Sequence, residues 1–247
     1  MIEDADLCLD IARHLKRICD KLEIKYVFKA SFDKANRSSA KTYRGPGFEK
    51  GLEILAKIRK DMQLPVLSDV HTEEQALESA KVLDVLQIPA FLCRQTDLLL
   101  AAASTKKIIN VKKGQFLSPN DMQNVVKKMF DAGNRKLLLT ERGSSFGYNN
   151  LVADMRSIPI MKKTGCPVVF DATHSVQLPG GQGDKSGGQG EFAPVLARAA
   201  MAAGSDGVFL ETHPDPSQSP SDGPNMVPLS EMKKLLHSLS MIRSALK

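Results

Sequence analysis

Between Lys29 and Ser39 the chain reads Lys-Ala-Ser-Phe-Asp-Lys-Ala-Asn-Arg-Ser-Ser, which places Lys29, Ser31, Lys34, Asn36, Arg37 and Ser38 within a short stretch. Ammonium, guanidinium, amide and hydroxyl donors at this density suit phosphate or carboxylate oxygens, and the alternative is a solvated polar loop. Lys29 favours the anion site, because it falls inside an apolar run where an ammonium needs a partner. Lys112 and Lys113 close the run Ile-Ile-Asn-Val, and neighbouring strand residues face opposite ways. Lys112 suits an anion clamp or a Schiff-base nucleophile, whereas Lys113 reads as a lysine snorkelling to the surface. Arg94 and Arg142 are further candidate clamps, each weighed against an ordinary surface arginine. His174, Glu211 and Asp222 offer an imidazole and two carboxylates, a donor set for a divalent metal, with His71 and His213 as substitutes. The plainer reading of that set is a hydrogen-bonded core histidine and two loop carboxylates. The glycine-rich run from Leu178 to Gly190 does not meet the Walker spacing. It reads instead as a mobile loop that closes over substrate and excludes water.

Seven short strand-like runs must position these groups: Tyr26 to Ser31, Val66 to Val70, Val85 to Pro89, Ile108 to Lys112, Leu137 to Glu141, Val168 to Ala172 and Gly207 to Glu211. Helix signals lie between them. Thr72-Glu73-Glu74-Gln75 is a capping box, Ser118-Pro119 opens a helix that stops at Gly133, and an alanine-rich helix ends at Gly204. Before the first strand, Leu7, Ile11, Leu15, Ile18 and Leu22 share one helical face. Alternating β and α elements with no linker suit an α/β chain forming one (β/α)8 TIM barrel over 1–247, lacking its first strand, at least as well as an open doubly wound sheet. The alternation also sorts side chains by face. Lys29 pairs with Ser31, Asp69 with His71, Asn110 with Lys112, and Phe209, Glu211 and His213 line up together. Gln87, Glu141 with Arg142, and Asp171 with His174 also sit at strand ends. A barrel builds its active site from the C-terminal ends of its strands, so these polar residues read as one basic funnel with a few carboxylates and histidines.

Composition bounds the partners. The 247 residues are 42% hydrophobic and 25% charged with a net charge of +6, too apolar for a disordered chain. The longest wholly apolar run, Leu98 to Ala103, falls far short of the roughly 18 to 20 residues a bilayer needs. The N-terminus carries Glu3, Asp4, Asp6 and Asp10 and does not read as an export signal. Cys8, Cys19, Cys93 and Cys166 form no CxxC pair, as expected of reduced thiols in a cytoplasmic protein. With no Trp and three Tyr, a stacking platform for nucleic acid is poorly supported, and neither nucleic acid nor membrane is an expected partner.

Several blocks carry a family resemblance. They are Phe28 to Ser39, Tyr43-Arg44-Gly45-Pro46-Gly47, Ser68-Asp69-Val70-His71, Gln87 to Asp97, Asn110 to Phe116, Glu141-Arg142-Gly143 with Phe146-Gly147-Tyr148-Asn149, Asp171 to Gln177, and Glu211-Thr212-His213-Pro214. Spanning essentially the whole chain, they resemble the 3-deoxy-D-manno-octulosonate 8-phosphate synthases, also called phospho-2-dehydro-3-deoxyoctonate aldolases. The resemblance implies a (β/α)8 barrel, usually a homotetramer, that condenses phosphoenolpyruvate with arabinose 5-phosphate and water for lipopolysaccharide or a related cell-wall sugar. It implies that Lys29, Ser31, Lys34, Gln87, Lys112 and Arg142 hold phosphoenolpyruvate and that Asn36, Arg37 and Ser38 take arabinose 5-phosphate. Arg94 would reach the pentose phosphate of a neighbouring subunit. Lys34 would polarise the aldehyde, His174 and Asp222 would sit near the water or metal, and Asp69 would orient a substrate hydroxyl.

Two features depart from the family pattern. Its members carry an additional strand ending in a Gly-Pro-Cys or Gly-Met-Asn type motif before Ile-Glu, whereas Met1 here directly precedes Ile2-Glu3. The chain therefore reads as N-terminally truncated. The Cys or Asn of that motif separates metal-dependent from metal-independent members, so a divalent metal on His174, Glu211 and Asp222 stays open. Asp171 to Gln177 resembles the metal-dependent type and Asp222-Gly223-Pro224 the other. Competing readings are the sibling 3-deoxy-D-arabino-heptulosonate 7-phosphate synthase, a Schiff-base aldolase through Lys112, and a non-catalytic phosphosugar-binding remnant.

Overall fold

The computed structural model describes residues 1–36, 42–182 and 185–246, so Arg37, Ser38 and Asp184 lie outside the described residues. All seven expected strands form, as β1 (Phe28–Lys29), β2 (Val66–Asp69), β3 (Val85–Ile88), β4 (Ile108–Lys112), β5 (Leu137–Glu141), β6 (Val168–Asp171) and β7 (Gly207–Phe209). They lie in one sheet in chain order. Eight helices are found among the described residues: α1 (Ala5–Lys21), α2 (Phe48–Met62), α3 (Glu73–Ser79), α4 (Thr96–Ser104), α5 (Met122–Asp131), α6 (Ser157–Lys162), α7 (Ala193–Ala202) and α8 (Met232–Ala245). Parallel strands in chain order with a helix in each crossover are the (β/α)8-barrel fold, here with seven sheet strands among the described residues.

The chain falls into two compact units, Met1–Lys112 with Asn124–Leu138, and Lys113–Gln123 with Leu139–Lys247. In the first, the Asp4 side chain caps α1 by accepting from the N–H groups of Asp6 and Leu7. The capping box starts α3 as expected, with Thr72 accepting from the Gln75 N–H. Its strands pair in parallel, and the register sets Asp69 opposite Gln87 and Gln87 opposite Asn110. Side chains of paired residues point to the same face, so three polar groups fall in one row. Below them Val66, Leu86, Ile88, Ile109 and Val111 are buried and supply the apolar core.

In the second unit β5 and β6 pair in parallel with Glu141 opposite Phe170, and β6 pairs with β7 with Asp171 opposite Phe209. Helices α7 and α8 pack on each other, burying Ala197, Ala200, Leu235 and Leu239. The glycine-rich run does not present itself as an irregular loop. Gln177–Gln182 and Lys185–Gly188 form an antiparallel ribbon with an irregular register between Lys185 and Gly187. Alternation of residues without Cβ leaves little periodicity to read, which is why the sequence gives no strand signal there.

Candidate active site

In the first unit, Lys29, Ser31, Asp69, Gln87 and Asn110 form one continuous polar network. Lys29 Nζ donates to Ser31 Oγ at 2.8 Å and lies 3.1 Å from Asp69 Oδ2. Ser31 Oγ donates to the same carboxylate oxygen, and Gln87 Nε2 donates to the other. Asn110 Nδ2 then donates to Gln87 Oε1 at 2.8 Å. Lys112, also buried, acts on Asp69 through its charge. Burial pushes the Asp69 carboxyl up, yet the charges of Lys29 and Lys112 with the bonds from Ser31 and Gln87 hold it well below the usual carboxylate range. The cluster therefore gathers two ammonium groups about the ionised Asp69 carboxylate, donors of the kind that suit an anion.

Lys34 is half-buried in the segment after β1, its N–H donating to the Arg44 carbonyl at 2.8 Å. Arg44 in turn holds Asp33 with two hydrogen bonds of 2.8 and 2.6 Å, which fixes the backbone beside Lys34. Asn36 and Arg94 are exposed. His71 donates its backbone N–H to Gln75 Oε1 at 2.9 Å, and its Nδ1 lies 3.2 Å from that oxygen. Both Asp69 oxygens accept within the network, and each keeps a further lone pair.

In the second unit, a metal-ligand geometry is present. One donor atom from each of His174, Glu211 and Asp222 lies within 4.8 Å of the others. Asp171 is fully buried and holds His174 through Nδ1 at 2.8 Å and through the backbone N–H at 2.9 Å. This leaves Nε2 facing Glu211 Oε2 at 3.4 Å. A carboxylate on the far ring nitrogen is the usual support for a metal-binding imidazole, and mixed imidazole and carboxylate donors suit a first-row divalent ion. The donor set thus fits such an ion. His213 is not part of this cluster, and its Nδ1 accepts from the Asp215 backbone N–H at 3.0 Å.

Arg142 is buried, and its Nη2 donates to Gln177 Oε1 at 3.1 Å. Burial pulls its basicity down while Asp171, Asp222 and Glu141 push it back up. Gly143, which follows, takes φ +85°, a conformation that a side chain resists, and this turn lets its N–H donate to Glu141 Oε1 at 2.6 Å.

Lys113 overturns an expectation. It does not snorkel, for it is 0% exposed. Its Nζ donates to the carbonyls of Gly114 and Leu117 at 3.2 and 3.1 Å and to Ser144 Oγ at 3.1 Å, with Glu141 Oε1 at 3.6 Å. An ammonium enclosed by carbonyls and a carboxylate ties the turn after β4 to the residues after β5. Alternation sends Lys112 and Lys113 to opposite faces, but both side chains are buried, which one strand read alone does not reveal. Asn110, Asp171 and Gln177 were not singled out as site residues. Asn110 and Asp171 were signalled by their places at strand ends, whereas Gln177 had no local signal.

All four cysteines are buried, and burial pushes Cys8 and Cys19 up to about 11, so neither is a nucleophile at neutral pH. Among the described residues no helix is long and apolar enough to cross a membrane.

Comparison with known proteins adds an independent line. The model of the DAHP synthetase I family matches residues 1–247. A protein of a Cyanothece strain named 2-dehydro-3-deoxyphosphooctonate aldolase is 60% identical over 246 residues, covering 100% of this chain and 90% of that protein. Proteins of the same name from Methylibium petroleiphilum and Desulfotalea psychrophila are 59% and 57% identical, each over 100% of this chain and over 89% and 88% of their own lengths.

Proposed function

The chain belongs to the DAHP synthetase I family, and from its similarity to the 2-dehydro-3-deoxyphosphooctonate aldolases we propose that it condenses phosphoenolpyruvate with D-arabinose 5-phosphate and water. The products are 3-deoxy-D-manno-octulosonate 8-phosphate and inorganic phosphate, and the chain works as one catalytic domain over 1–247. The observation that carries this reading is the gathering of Lys29 and Lys112 around the carboxylate of Asp69. Ammonium groups gathered at strand ends suit an anionic ligand, and phosphoenolpyruvate brings both a phosphate and a carboxylate.

In this reading, as the family resemblance implies, Lys29, Ser31, Lys34, Gln87, Lys112 and Arg142 hold phosphoenolpyruvate, while Asn36, Arg37 and Ser38 take arabinose 5-phosphate. The enol carbon of phosphoenolpyruvate forms a bond to the aldehyde carbon of the pentose. Water adds to the carbon bearing phosphate, the carbon–oxygen bond to phosphate breaks, and phosphate leaves. The water loses both its protons, one to the aldehyde oxygen and one to the departing phosphate, and its oxygen becomes the keto oxygen of the product. Lys34, an ammonium beside the aldehyde, stabilises the negative charge that grows on its oxygen. Asp69 keeps Lys29 charged and oriented, and His174 and Asp222 orient the water. A divalent ion, when bound by His174, Glu211 and Asp222, would supply a Lewis acid there. The family resemblance further implies a cytoplasmic homotetramer in which exposed Arg94 reaches a neighbouring subunit's pentose phosphate.

Phosphate release tests the reading. The chain is mixed with phosphoenolpyruvate and either arabinose 5-phosphate or erythrose 4-phosphate, after chelation and with Mn²⁺ added back. Release with arabinose 5-phosphate is expected. A preference for erythrose 4-phosphate would instead assign the heptulosonate reaction, and tight phosphoenolpyruvate binding with no release under any condition would assign a binding protein.

A further inference from the structure

Arg142 and Asp222 stand on either side of one carboxamide. Gln177 Oε1 accepts from Arg142 Nη2 at 3.1 Å, while Gln177 Nε2 donates to Asp222 Oδ1 at 3.0 Å. A guanidinium and a carboxylate in a partly desolvated pocket attract strongly and prefer a two-pronged direct pair. The attraction is present here, since the charge of Asp222 raises the basicity of Arg142 against the effect of burial. The direct pair is nevertheless not formed. The hydrogen bond of Arg142 goes to a neutral amide, and its Nη1 is buried with no hydrogen-bond partner among the described residues.

Asp222 is braced on its other side. Its Oδ2 accepts from Ser221 Oγ at 2.7 Å, and its backbone sits at φ +57°, a left-handed conformation that aspartate tolerates better than most residues. A carboxamide is suited to the gap because its two ends differ, oxygen toward the cation and NH₂ toward the anion. Glutamate cannot donate to Asp222, and leucine can do neither.

We propose that Gln177 is a positioning residue that holds Arg142 and Asp222 apart, so that the buried Arg142 Nη1 is kept for an anionic oxygen of the substrate. Without this spacer Arg142 closes onto Asp222, and the anion subsite is lost to an internal ion pair. The inference rests on Arg142 being an anion-holding side chain in the proposed function, and it adds a residue to which no role had been given.

The test is titration calorimetry of the full chain, freed of metal by chelation, with inorganic phosphate and with phosphoenolpyruvate. Arg142→Met should weaken binding about tenfold or more, the loss of a hydrogen bond to a charged partner. Unchanged binding in that variant overturns the assignment of Arg142 and the inference with it. Gln177→Leu should lose a similar factor without a fall in melting temperature, because an internal ion pair replaces the amide bridge. Adding Asp222→Asn to Gln177→Leu should then restore affinity, since the competing carboxylate has gone. Gln177→Glu is the second variant, should leucine impair folding. Its carboxylate takes up Arg142 directly, so it should lose affinity and gain nothing from Asp222→Asn. If Arg142→Met weakens binding but Gln177→Leu binds like the wild type, or if the double variant stays as weak as Gln177→Leu alone, the spacer role is wrong while the assignment of Arg142 stands.

Discussion

Replacing Asp69 by Asn should destabilise the empty protein and at the same time make it more responsive to anions. Asp69 lies 3.1 Å from Lys29 Nζ, and each side chain is only 13% exposed. Its two oxygens also accept from Ser31 and Gln87. Asparagine keeps one acceptor, but its amide nitrogen turns a donor toward either Lys29 and Ser31 or Gln87. Removing one partner of a buried ion pair costs about 3–5 kcal/mol. At about 2–4 °C per kcal/mol for a chain of this size, the melting temperature should fall by roughly 6–20 °C at pH 7. Phosphoenolpyruvate should recover more of that loss in the variant than it adds to the wild type, because the charge of Asp69 no longer acts on Lys29 and Lys112.

The pH dependence gives a second signature of the same change. The folded-state pKa of Asp69 is depressed, so its contribution is full above the unfolded value, about 3.9, and is lost as pH falls through the folded value. The gap in melting temperature between wild type and Asp69→Asn should therefore be widest at neutral pH and close in acid, below roughly pH 4. Circular dichroism melts between pH 3 and 7, with and without phosphoenolpyruvate, measure both effects. Melting temperatures that agree within about 2 °C at pH 7, less than 1 kcal/mol for this size, would refute the account of Asp69 as the charge partner of a desolvated lysine.

The enclosed ammonium of Lys113 predicts that Lys113→Arg is disruptive, since a planar fork does not fit a cage of carbonyls, and that Lys113→Met leaves Glu141 uncompensated; a loss of about 3 kcal/mol or more in urea unfolding is expected for each. A Cβ added at Gly51 would lie 2.2 Å from Phe32 Cβ, so Gly51→Ala should displace the segment before Lys34. Its helix-propensity gain of about 1 kcal/mol cannot offset overpacking of about 1–3 kcal/mol or more, and both melting temperature and activity should drop. Glu211→Gln should weaken Mn²⁺ binding by equilibrium dialysis without changing the melt of the metal-free chain; equal affinity would remove Glu211 from the metal set. All four cysteines should resist iodoacetamide at pH 7.5 until denaturant is added, and mass spectrometry showing rapid labelling of Cys8 or Cys19 would contradict their burial.

By itself the sequence determined what depends on neighbours in the chain. Strand and helix positions follow from side-chain periodicity and from caps such as Thr72, so the seven sheet strands were legible. The pairing of Lys29 with Ser31 on one face was legible for the same reason, as was the basic character of the strand ends. The glycine ribbon after Gln177 was not, because glycines carry no pattern. Tertiary structure alone decided which partner each charge meets. Ser31 and Asp69 are 38 residues apart, and Gln177 and Asp222 are 45 apart. Such contacts follow from strand register and packing, which the sequence does not write locally. For the same reason Lys113 could be assigned to a face but not to a buried cage. The chemistry of a site is carried by residue types, while the distances that tune it belong to the fold.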